Sequence, residues 1–199
     1  GNIAQWKYVK YENPRGSILW LSASSVTCGD TFQIFASKYK SKFFDKGKRT
    51  ISIIRLGWYG GSGGREYWKS RPIIISNQDK FKPLGLLNTV EADWKPTLSV
   101  KVENSWTPGF YLVAIRDSKN KIESVAPLII RSKLHDSSLA LMHSTLTWQA
   151  YNNFGGYSLY RGLGKNDEAQ ISNRSRIVSF DRPHFGSGGK HINRDAITM

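Results

Sequence analysis

The sequence predicts a mostly β chain: an immunoglobulin-like β-sandwich over residues 1–133, then the opening, incomplete part of an α/β domain over 134–199. Three observations predict this. Short alternating or β-branched segments recur at sandwich spacing between residues 15 and 133. Gly, Pro, Asn and Asp punctuate them, and no helical period appears among them. A polar connection, Arg131-Ser132-Lys133-Leu134-His135-Asp136, then leads to compact apolar runs of another kind.

The segments follow in order. Residues 17–22 are apolar, and Cys28-Gly29-Asp30 turns the chain into 31–39. There Phe32, Ile34 and Ala36 share one face, while Gln33, Phe35 and Ser37 share the other. Residues 50–56 are rich in β-branched side chains, with Ile51, Ile53 and Ile54. A short segment, 73–75, follows Pro72. Residues 98–102 alternate, Thr107-Pro108-Gly109 turns into 110–116, and Asp117-Ser118-Lys119-Asn120 turns into 122–130. Between these lies Leu56-Gly57-Trp58-Tyr59-Gly60-Gly61-Ser62-Gly63-Gly64-Arg65. Its glycines permit positive φ, and Trp58 and Tyr59 are placed to cover a core edge. As a phosphate cradle this run lacks a following Lys-Ser/Thr and a helix.

Beyond the connection, 139–142 and 177–180 read as buried parallel strands. Between them Trp148-Gln149-Ala150-Tyr151-Asn152-Asn153-Phe154-Gly155-Gly156 reads as an aromatic, amide-rich loop. A loop leaving the carboxyl end of a strand is where open α/β sheets place ligands. Gln149, Asn152 and Asn153 offer amide donors and acceptors, and the Tyr151 phenol can hydrogen-bond or, ionised, bind a hard metal. Asp181 and Arg182 read as a structural ion pair and His143 as a core histidine. Gly186-Ser187-Gly188-Gly189-Lys190 imitates a phosphate loop, but His184 and His191 stand where Gly and Ser or Thr are needed. Two strands cannot close a doubly wound sheet, so the rest of that domain, or another chain, is an expected partner.

Composition excludes some classes. One cysteine, Cys28, allows neither an intramolecular disulfide nor a thiolate zinc cluster. No apolar run approaches the ~20 residues of a membrane-spanning helix, and no secretory leader precedes the first strand. Asn173-Arg174-Ser175 is a glycosylation sequon. The compartment is open, with a secreted or cell-surface location favoured over the cytoplasm. A formal charge of +14 makes an acidic partner an expectation. The densest basic stretch, Lys38 to Arg49, reads either as a single-strand nucleic-acid surface or as a lysine-rich hairpin tip. The turn chemistry of Asp45-Lys46-Gly47-Lys48 favours the hairpin tip.

Four stretches, in order, resemble the large (beta) subunit of N,N-dimethylformamidase and its relatives. They are the glycine-rich run 56–65; Ala92-Asp93-Trp94 with Trp106-Thr107-Pro108-Gly109-Phe110-Tyr111-Leu112; the run 147–156 with Ser158-Leu159-Tyr160; and Val178-Ser179-Phe180-Asp181-Arg182-Pro183. The resemblance implies an immunoglobulin-like domain followed by an amidotransferase-like α/β domain. It also implies a mononuclear iron, held by two tyrosines and a carboxylate, whose bound water attacks an amide carbonyl. By motif Tyr151 is the first metal ligand, and Tyr151 and Asn152 are the candidate catalytic residues. His184 stands where the second tyrosine ligand is expected, and the carboxylate falls beyond Met199. The implied function is the amino-terminal part of an amidohydrolase that cleaves the C–N bond of a small amide, inactive as this fragment. The alternative is a non-catalytic module that docks a protein or polyanionic partner.

Overall fold

The computed structural model describes residues 16–39, 47–78, 81, 83–134, 140–186 and 192. In chain order the strands are β1 (Ser17–Leu21), β2 (Ser25–Thr27), β3 (Thr31–Lys38), β4 (Thr50–Leu56), β5 (Gly64–Lys69), β6 (Pro83–Leu84), β7 (Thr89–Val90), β8 (Leu98–Lys101), β9 (Gly109–Arg116) and β10 (Ile122–Arg131). A short helix, α1 (Thr145–Ala150), precedes β11 (Gly162–Leu163) and β12 (Ala169–Gln170). The chain is mostly β.

Two sheets carry the core. The smaller has the order β1-β3-β8 and the larger the order β2-β10-β9-β4-β5. Every pairing in them is antiparallel except β2 with β10, which is parallel. The alternation seen in the sequence is what makes the core. Phe32, Ile34 and Ala36 of β3 face Ile51, Ile53, Val113 and Ile115 of the larger sheet, and none of these is exposed. The predicted turn before β10 forms as expected. Asn120 adopts the left-handed conformation at φ 63°, and the Asp117 carboxylate accepts the Lys119 and Lys121 amides.

The chain changes sheets between β1 and β2. Ser22 N still donates to Gln33 O of the smaller sheet, whereas Ser24 O accepts Ile129 N of the larger. Pro127 lies two residues before Ile129, so its ring nitrogen faces the same side, at a point β2 has not yet reached. Pro127 itself offers no N–H there. Near the other end of β10, Glu123 receives Arg49 in a two-pronged pair, Nη2 to Oε1 at 2.8 Å and Nε to Oε2 at 3.1 Å. Both side chains are buried.

Unlike a sheet with one solvated face, both sheets are also apolar outside, and the region after residue 133 helps to cover them. Ile18, Trp20 and Phe35 pack against Val90, Ala92, Trp94 and Phe154. Phe110 and Leu112 pack against Trp148 and Ile192.

Several expectations are corrected. Residues 73–75 form no strand; Ile73 makes a single bridge to Arg49, and the edge position is held by β5. Trp58 does not cover a core edge: it is 80% exposed, on a turn where Tyr59 itself takes φ 40°. The runs 139–142 and 177–180 are not buried strands in their described residues. Met142 is 94% and Ile177 53% exposed, and no strand among the described residues pairs with either run. The run 148–156 is not wholly loop, since α1 and a 3-10 turn at Phe154–Gly156 take up much of it. Residues 40–46 of the basic stretch, 135 and 136 of the connection, Leu139 of the first apolar run, 187–190 of the second glycine run and His191 lie outside the described residues. No helix among the described residues is long and apolar enough to cross a membrane.

Candidate functional site

The candidate residues sit where the end of α1 meets the segment 181–186. Trp148 anchors the helix, being 1% exposed and packed against Phe110 with centroids 6.0 Å apart. That anchoring turns Gln149 and Asn152 inward, where Asn152 becomes the centre of a hydrogen-bonded clamp. Its Nδ2 donates to Gln149 Oε1 at 3.0 Å and to Pro183 O at 2.9 Å. Its Oδ1 accepts Phe154 N at 3.1 Å and Phe185 N at 2.9 Å. An amide has two donors and two lone pairs, so protein groups fill the whole capacity of Asn152.

Arg182 closes the clamp from the other side. The side chain is fully buried, and its guanidinium donates to Tyr157 O, Gln149 O and Asn152 O at 3.1 to 3.3 Å. Of these, Gln149 O lies in the last turn of α1 and also accepts Asn152 N. The expected ion pair with Asp181 does not form: Asp181 is exposed, and no described carboxylate pairs with Arg182. Burial pushes the Arg182 pKa down to about 10. A cation held only by carbonyl dipoles therefore sits under the site.

His184 follows two residues later, with Nε2 at 3.5 Å from Gln149 Nε2. Part of the residue remains exposed. Burial of the ring, then the charge of Arg182, pushes its pKa down to about 3. The imidazole is thus neutral across the physiological range. Gln149, Arg182 and His184 line a cleft of about 290 Å³ together with Trp20 and Pro127. This cleft lies at the gap where the chain changes sheets. Tyr151 is not among its lining residues; its ring stacks on Tyr160, with centroids 4.3 Å apart and planes 16° from parallel. The interaction with Tyr160 raises the pKa of the Tyr151 phenol.

The structure thus joins Asn152 to the His184 segment and leaves Tyr151 on a neighbouring surface. Sequence reasoning missed the role of Arg182. The available signal was an arginine beside a proline in an apolar context, and nothing in that pattern says which carbonyls it reaches.

These donors do not by themselves fit a ferric centre. The buried Arg182 charge that disfavours a proton on His184 opposes a metal cation there for the same reason. Tyr160 holds the Tyr151 phenol further from its ionised, metal-binding form. The described residues also contain no cluster of three His, Cys, Asp or Glu side chains able to hold a metal. No chemical step is therefore derived through iron.

Comparison with known proteins places this arrangement. No curated protein matches the chain. One similar solved structure is Pseudomonas fluorescens alkylpurine DNA glycosylase AlkC bound to DNA containing an abasic site analog, at 9% identity and a TM-score of 0.38. The likeness covers 59% of this chain and 31% of that one, so the chain spans about a third of that protein, and it carries no argument. A family profile is more informative. It matches residues 50–198, running without a break from β4 through the Asn152 clamp and past His184. The chain belongs to the family described as N,N-dimethylformamidase beta subunit-like, C-terminal.

Proposed function

We propose that this chain forms one wall of a dimethylformamidase-type amidohydrolase, and that it does not turn over amides by itself. The carrying observation is the Asn152–Arg182 clamp, which fixes the Tyr151 turn and the His184 segment beside the cleft. In this reading Tyr151 is the residue offered to the reaction and Asn152 positions it. The neutral His184 accepts or donates a hydrogen bond at the cleft wall. Any metal-binding donors the reaction requires, a carboxylate first, come from elsewhere in the assembly. The substrate is a small amide and the bond broken its C–N bond.

The strand order supports an immunoglobulin-like reading of the two sheets, with residues 1–133 as that domain. So does Tyr111 near the start of β9, whose hydroxyl donates back to Thr107 O at 2.6 Å.

The test is hydrolysis of dimethylformamide by the purified chain and by the complex recovered with it from its source. We expect none from the chain alone. We expect turnover from the complex that falls at least about a hundredfold in Tyr151→Phe, with circular dichroism unchanged. Hydrolysis by the chain alone, or an unaffected Tyr151→Phe complex, would refute the proposal.

A second reading, a docking module without chemistry, draws on the apolar side chains after residue 139. Leu141, Met142, Leu146 and Ile171 are each at least 67% exposed. With the +14 charge, that surface fits a protein or polyanionic partner. An inactive complex that still binds its partner would favour this reading.

A further inference from the structure

The run 148–156 has two sides, and the clamp uses one of them. On the other side Asn153, Phe154 and Gly155 line a separate cavity of about 290 Å³. We propose that this cavity is a second small-molecule site, built to take a flat aromatic carboxylate.

Its walls are four rings in two tilted pairs. Phe81 and Phe154 lie with centroids 4.6 Å apart at 49°, and Tyr39 and Phe185 at 5.5 Å and 50°. Tilted rings offer both faces and edges, the arrangement in which an added aromatic ring packs best. The wall is anchored from behind, since Phe154 is 1% exposed and meets Trp94 edge-on at 6.3 Å. The cavity is also kept open by chain geometry. Gly155 has φ 72°, and a Cβ there would come within 2.7 Å of Val90 and 3.0 Å of the Phe81 ring. Any other residue at 155 would push Phe81 out of line.

The polar groups give the ligand its sign. Arg161 is exposed at the cavity, on a tight turn where Ser158 N donates to Arg161 O at 2.7 Å. No carboxylate among the described residues pairs with its guanidinium. Among the described residues no acidic side chain lines the cavity. Asn153, with its side-chain amide, and Tyr39, with its phenol, also line it. One unpaired cation, an amide and a phenol around an aromatic slot match a planar ring bearing a carboxylate. Nothing here depends on Tyr151 or on amide hydrolysis.

The experiment is isothermal titration calorimetry of the whole chain with phenylacetate, phenylacetamide and cyclohexylacetate. Phenylacetate should saturate one site, and the other two should bind more weakly, one lacking the charge and the other the flat ring. Arg161→Ala should weaken phenylacetate about fivefold and abolish its advantage over phenylacetamide. Gly155→Ala should weaken both aromatic compounds. Because it could disturb folding, the exposed Arg161→Ala variant is decisive. Tyr151→Phe should leave all three affinities unchanged, which separates this site from the proposed hydrolase. Absence of saturation to about 10 mM phenylacetate would overturn the proposal. So would equal affinity for the acid and the amide, equal affinity for cyclohexylacetate, or an unaltered Arg161→Ala variant.

Discussion

Trp20 of β1 and Phe35 of β3 stack with centroids 4.0 Å apart and planes 5° from parallel, on the face of the smaller sheet turned away from the shared core. Val90, Trp94 and Phe154 pack in the same group, so part of this cover comes from beyond residue 133. A fragment ending at residue 133 should keep its β circular dichroism yet lose about 2–5 kcal/mol of unfolding free energy. Urea unfolding of fragment and whole chain measures this. Equal stabilities would show that the cover contributes nothing, and an unfolded fragment would deny that 1–133 is a folding unit.

Asn152→Ala should destabilise the chain by about 2–4 kcal/mol, because it strands two backbone N–H groups and two carbonyl oxygens that Asn152 now pairs. Asn152→Asp should not rescue it, since a carboxylate cannot donate to Gln149 Oε1 or Pro183 O. Hydrogen exchange at the Phe185 amide should speed up in both variants. A stability loss under about 1 kcal/mol in Asn152→Ala would show that the clamp is not holding the segment.

Removing one half of the Arg49–Glu123 pair should be worse than removing both. Glu123→Ala leaves a buried guanidinium without its carboxylate and should cost about 3–5 kcal/mol. The double change Arg49→Met with Glu123→Leu should cost clearly less. Thermal or urea unfolding of the three proteins decides it, and a single variant as stable as the double would contradict the account.

Stability should fall on the acid side through His184. An unfolded histidine takes up a proton near pH 6.5, but in the folded chain His184 resists until about pH 3. Between those values the unfolded state binds more protons, so this contribution is present above about pH 6.5 and is lost as pH falls toward 3. The expected loss from this residue by pH 5 is on the order of 2 kcal/mol. Urea midpoints at pH 7.5 and 5 should therefore diverge less in His184→Gln than in the wild-type chain. Parallel pH profiles would place the imidazole in solvent.

The sheets were legible where side-chain alternation alone sets the state. β3 follows the Phe32, Ile34, Ala36 spacing, and β4, β8, β9 and β10 match their expected segments to within about two residues. β2 and β5 were not legible. Ser-Val-Thr and Gly-Arg-Glu-Tyr-Trp-Lys are extended because a partner strand is present. The runs at 139–142 and 177–180 failed for the converse reason: apolar composition does not guarantee a neighbour. At the site, the motif pointed to Tyr151, Asn152 and His184. It could not show that Asn152 is hydrogen-bonded to capacity, or that Arg182 reaches back thirty residues to Asn152 O. Those are properties of tertiary contact.

Pro127 has a bearing on how this molecule meets others. Its nitrogen faces the side of β10 that β2 leaves uncovered, and that position has no N–H to offer. A strand arriving from another chain would find its ladder interrupted at the first step past Ile129. At this gap Pro127 thus hinders lengthening of the larger sheet by edge-to-edge association.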